Sequence, residues 1–72
     1  MSVVNLAYIA SKRKLLGLTQ KDLAKKIGIK SAPAYNKYEK GIYKFDADYI
    51  PLLANALKCD VKEIFLLIGL TR

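Results

Sequence analysis

The sequence predicts an all-α domain of five short helices. Apolar residues recur at helical spacing along the chain, caps and glycines punctuate those runs, and no segment carries a strand signal. Leu6, Ile9, Ala10, the stem of Arg13 and Leu16 place the first helix at 3–16, ended by Gly17. Thr19, with Asp22 three residues later, caps a second helix whose apolar stripe is Leu23, Ala24 and Ile27, and Gly28 stops it after two turns. The third begins near Ser31 or Ala32, with Pro33 in a first turn that needs no donor from it, buries Tyr35 and Tyr38, and ends at Gly41. Pro51 fixes the start of the fourth. With Asp48 as cap it falls at the third helical position, so this helix starts at Tyr49 and turns Leu52, Leu53, Ala56 and Leu57 to the core. Asp60 and Glu63 form a second capping box, opening a fifth helix expected to reach Gly69.

At 72 residues the chain makes one domain, residues 1–72, able to bury only about 60% of its unfolded surface. The single cysteine, Cys59, has no internal partner and the chain lacks histidine, so neither a disulfide nor a Cys/His zinc site is expected. That suits a reducing cytoplasm. The N-terminus has no secretory pattern, and the longest apolar run, at 64–70, is far below the roughly 20 residues that span a bilayer. No membrane, metal, cofactor or small-molecule partner is expected. An enzyme is disfavoured too, because the six acids show no pair at acid/base spacing.

Charge is unevenly placed. Of the thirteen Lys and Arg residues, ten lie in residues 12–44 with only Asp22 and Glu39 against them, a local balance of +8. Residues 45–72 sum to −1. A solvated lysine-rich surface would produce such a pattern, but its confinement to one half favours a polyanion partner. That half also holds two short helices joined through Gly28, with Ala24 small enough for a close crossing. Such a pair can cross sharply, though an ordinary helical hairpin shares the spacing.

Three blocks in order, "LGLTQKDLAKKIGI", "YNKYEKG" and "IPLLANALKCDVKEIF", resemble the lambda-repressor-like (XRE/Cro type) helix-turn-helix regulators of phages and bacteria. The resemblance covers nearly the whole chain. It implies a compact five-helix DNA-binding domain, with the helix-turn-helix at helices 2 and 3. A transcriptional repressor or Cro-like regulator would bind a palindromic double-stranded operator as a homodimer with helix 3 in the major groove. A restriction-modification controller or antitoxin on the same fold, or a protein-interaction or anti-repressor module, are the competing functions. Between Gly28 and Gly41 the chain has one residue more than is usual in the family; anchoring on Tyr35, Tyr38 and Glu39 keeps the helix in register, so the turn should lengthen.

In this geometry the start of helix 3 meets base edges and helix 2 crosses the backbone, which makes Ser31, Ala32, Pro33, Asn36 and Lys37 the expected base contacts. Asn36 could pair bidentately with adenine, and Lys37 could donate to guanine. Gln20, Lys21, Lys30, Lys40, Tyr43 and Lys44 are the expected phosphate contacts, Gln20 through its side-chain amide. The resemblance also implies a structural ion pair between Arg13 and Glu39. It further places a dimer interface at this end of the domain, for which the almost uniformly apolar helix 5 offers Val61, Ile64, Phe65, Leu67 and Ile68.

Overall fold

The computed structural model describes residues 2–67, in the order β1 (Ser2–Val4), α1 (Leu6–Leu15), α2 (Gln20–Ile27), α3 (Ala32–Glu39), α4 (Tyr49–Leu57), α5 (Val61–Ile64) and β2 (Phe65–Leu67). Five helices make up the bulk of the domain. Two boundaries expected from the sequence are corrected. The first helix starts at Leu6, where the Asn5 side chain accepts the Tyr8 N–H at 3.0 Å, and residues before it are extended. The fifth helix stops at Ile64, not at residue 69, and the chain continues as a strand; residues 68 and 69 lie outside the described residues.

The two strands pair antiparallel, Val3 opposite Leu66 and Val4 opposite Phe65, and the Asn5 N–H donating to the Ile64 carbonyl at 2.7 Å extends the ladder. Val3 and Val4 are β-branched and suit a strand better than a helix start. The ladder satisfies backbone groups of both segments, and so overrides the helical reading of each.

α2 is closed at both ends. Thr19 Oγ1 accepts the Asp22 N–H at 3.0 Å while Asp22 Oδ2 accepts the Thr19 N–H at 2.9 Å. Those bonds hold the Asp22 carboxyl below its usual range. At the other end Gly28 takes φ +83°, a left-handed conformation that lets the chain leave α2 sharply and costs an L side chain strain. Residues 28–31 form the turn, within which Ile29 is buried and its N–H bonds the Ala24 carbonyl at 2.9 Å. Ser31 then caps α3, its Oγ accepting the Ala34 N–H at 3.3 Å, so the turn ends ahead of the helix.

Ile9, Leu23, Ala24, Ile27, Tyr35, Leu53, Leu57 and Ile64 lie at the centre of the core. α4 begins at Tyr49 as expected, but by a different device: the Asp48 side chain makes no capping bond, and the Tyr49 N–H goes to the Asp46 carbonyl at 2.9 Å. Its inward face is Ile50, Leu53, Ala54 and Leu57, which leaves Leu52 exposed and Ala56 half-buried. The expected stripe was rotated by one position, because Ile50 in the first turn sets the phase.

Candidate nucleic-acid interface

One carboxylate organises the helix pair. Glu39, at the end of α3, receives Arg13 Nε at 2.8 Å and Arg13 Nη2 at 3.2 Å, a two-pronged pairing in which both side chains are nearly buried. It also receives the Tyr35 hydroxyl at 2.8 Å and Gln20 Nε2 at 3.0 Å. Arg13 spends a further donor, Nη1, on the Leu18 carbonyl at 2.9 Å, and Gln20 Nε2 donates again to Asn36 Oδ1 at 3.1 Å. The bonds tie α1, the α1–α2 turn, the first residue of α2 and three residues of α3 into one unit.

The electrostatics follow from this arrangement. Burial opposes the charge on Glu39, but the hydrogen bonds from Arg13, Gln20 and Tyr35, with the guanidinium charge beside them, outweigh it and hold the carboxyl below its ordinary range. The bond to Glu39 raises Arg13 against the desolvation that would lower it. Tyr35 is pushed up, first by burial and then by its bond to Glu39. Every buried side-chain nitrogen and oxygen among the described residues has a hydrogen-bond partner. A fully satisfied network of this kind locks α3 onto α2.

Outside this network the surface is cationic. Ser31, Pro33 and Lys37 are exposed on α3, Ala32 and Asn36 are half-buried beside them, and Lys21, Lys30, Lys40 and Lys44 are all exposed. Between α2 and the start of α3 lies an open depression of about 340 Å³ with Lys21, Lys25 and Lys30 among its lining residues and Ile29 and Pro33 in it. The loop after α3 folds back on the helix end: the Ile42 and Tyr43 N–H groups both reach the Lys37 carbonyl, at 2.9 and 3.2 Å. Tyr38 anchors that loop, stacked on Phe45 at 5.1 Å and edge-on to Tyr43 at 5.3 Å and to Tyr49 at 5.6 Å. Tyr43 remains 45% exposed, with Lys37 Nζ 5.4 Å from its ring centre, so these two side chains share one patch.

Two expected contacts must be restated. Gln20 Nε2, expected at a phosphate, donates to both Asn36 Oδ1 and Glu39 Oε1, so its side-chain donors are engaged within the protein. Ile64, expected at a dimer interface, is wholly buried in the core of the chain itself. Val61 is 42% exposed and Phe65 half-buried; the side chain of Leu67, and all of Ile68, lie outside the described residues. The links from Gln20 to α3 and from Tyr35 to Glu39 had no expectation behind them. The i, i+4 spacing of Tyr35 and Glu39 could have signalled the second.

Among the described residues no helix is long and apolar enough to cross a membrane. No curated protein matches the chain. A helix-turn-helix family model matches residues 9–64, from the middle of α1 to the end of α5. This span takes in the whole Glu39 network and the cationic surface around it. The chain belongs to the helix-turn-helix family, in an all-α domain consistent with the XRE/Cro type.

Proposed function

We propose that this protein is a sequence-specific transcriptional regulator, Cro-like in kind, that binds a palindromic operator in duplex DNA as a homodimer with α3 in the major groove. The observation that carries this reading is the exposed cationic surface wrapped around a helix that a buried ion pair holds rigidly in place. Ser31, Ala32, Pro33, Asn36 and Lys37 face the bases. Lys21, Lys30, Lys40, Tyr43 and Lys44, together with the N–H groups at the start of α2, hold the phosphates. The homodimer forms at the α5 end through Val61 and Phe65, with Leu67 and Ile68 as further candidates. The protein acts in the cytoplasm of a bacterium or a phage-infected cell and requires no cofactor.

Selection of bound duplexes from a random DNA pool tests this directly. The expected product is a palindrome with half-site centres about one helical turn apart; a bound pool without a motif would reduce the surface to non-specific binding. Lys37→Ala is expected to change base preference at one half-site position by about 1 to 3 kcal/mol. Equal weakening on every sequence would make Lys37 a phosphate contact.

A further inference from the structure

The start of α3 presents mainly carbon. Pro33 has no N–H, the Ala34 N–H is given to Ser31 Oγ at 3.3 Å, and the Tyr35 N–H is given to the Ser31 carbonyl at 3.0 Å. In the turn before it, the Ile29 N–H goes to the Ala24 carbonyl at 2.9 Å. The side chains left to meet a ligand are the Ala32 methyl, the Pro33 ring and the Ser31 hydroxyl, whose oxygen serves the cap and whose proton can still be donated. Ala32 and Pro33 line the depression of about 340 Å³ between α2 and α3, together with the buried side chains of Ala24 and Ile29. Lys21, Lys25 and Lys30 line it too, and all three are exposed. A carbon floor ringed by cationic side chains suits a ligand that is apolar at its centre and anionic at its margins, as a methylated base between two phosphates is.

We infer that this depression is a subsite for the 5-methyl group of thymine, and that Ala32 and Pro33 determine specificity by contact with that methyl. This rests on the DNA-reading function proposed above and names what the first residues of α3 read. Among the groups that base edges show in the major groove, the thymine methyl is the apolar one. The others are hydrogen-bond donors and acceptors, which lose water against carbon without gaining a partner. The Ser31 proton can go to thymine O4 beside the methyl, but guanine O6 would accept it equally, so the discrimination lies in the carbon contact.

The test begins with the duplex selected by the wild-type protein. Each thymine of a half-site is replaced in turn by deoxyuridine, whose base differs from thymine only in lacking the methyl, and affinity is measured by fluorescence anisotropy. At one position of each half-site the replacement is expected to weaken binding about fourfold, the worth of one methyl-sized group taken out of water. Pro33→Ser, a change at an exposed residue, is expected to bring the thymine-to-uracil affinity ratio at that position towards one. Because the ratio compares two duplexes on one protein, a general loss of affinity or of folded protein cancels from it. A selected motif without thymine, or one whose thymines all tolerate the replacement, overturns the inference and leaves the DNA-reading function standing. An unchanged ratio in Pro33→Ser overturns the assignment of the methyl to this depression. A pool without any motif removes the DNA-reading function and the inference with it.

Discussion

Replacing Glu39 by Gln is expected to cost about 3 to 5 kcal/mol of folding stability, because it leaves the guanidinium of Arg13 without its countercharge in a place where only 7% of that residue is exposed. For a domain of this size that is a drop of about 15 °C or more in Tm. Thermal and urea unfolding at neutral pH check it, and a variant melting with the wild type would show that the pair does not hold the fold. Acid separates charge from packing. Glu39 keeps its proton off more strongly when folded than when unfolded, so its contribution is complete above the ordinary carboxylate range, about pH 4.3. It is lost as pH falls through the depressed folded value. The wild type should therefore lose stability in that window, and Glu39→Gln less, keeping the dependence that Asp22 contributes through its cap.

The second large effect is on binding. A dimer that neutralises about 6 to 10 phosphates is expected to lose roughly 10³ to 10⁵ in affinity for its operator between 50 and 200 mM salt. Fluorescence anisotropy over a salt series gives the slope, and a flat response would remove phosphate contact as the basis of binding. Lys40→Ala should reduce that slope by about one for each protomer while leaving base preference intact. It lies beyond the helix positions that face the bases, and its only role in the proposed complex is charge.

Much of the helical layout was legible because its signals are local. Thr19 with Asp22, Gly28, Ser31 before Pro33, and Pro51 each act within one turn of the chain, and the bounds of α2, α3 and the start of α4 follow from them. The ribbon was not legible. Its two strands are three residues each, too short to show alternation, and what makes them strands is each other, from opposite ends of the sequence. The candidate interface divides in the same way. Where the lysines fall was plain from charge along the chain, whereas what Gln20 and Asn36 present to a ligand depends on the bonds of Gln20 to Asn36 and to Glu39, 16 and 19 residues away, which no spacing rule supplies. Leu52 shows a milder form of this: the periodicity marked α4 as amphipathic, but only packing of Ile50 settled which side turned inward.

Because one carboxylate serves Arg13, Gln20 and Tyr35 together, those positions cannot drift independently. A change at one alters what a change at another is worth, and their effects on stability will not add. Ala32, Pro33 and Lys37 stand outside that set. The network thus divides this surface into side chains that share the Glu39 bonds and side chains that take no part in them, and a substitution among the latter leaves the Arg13–Glu39 pair undisturbed.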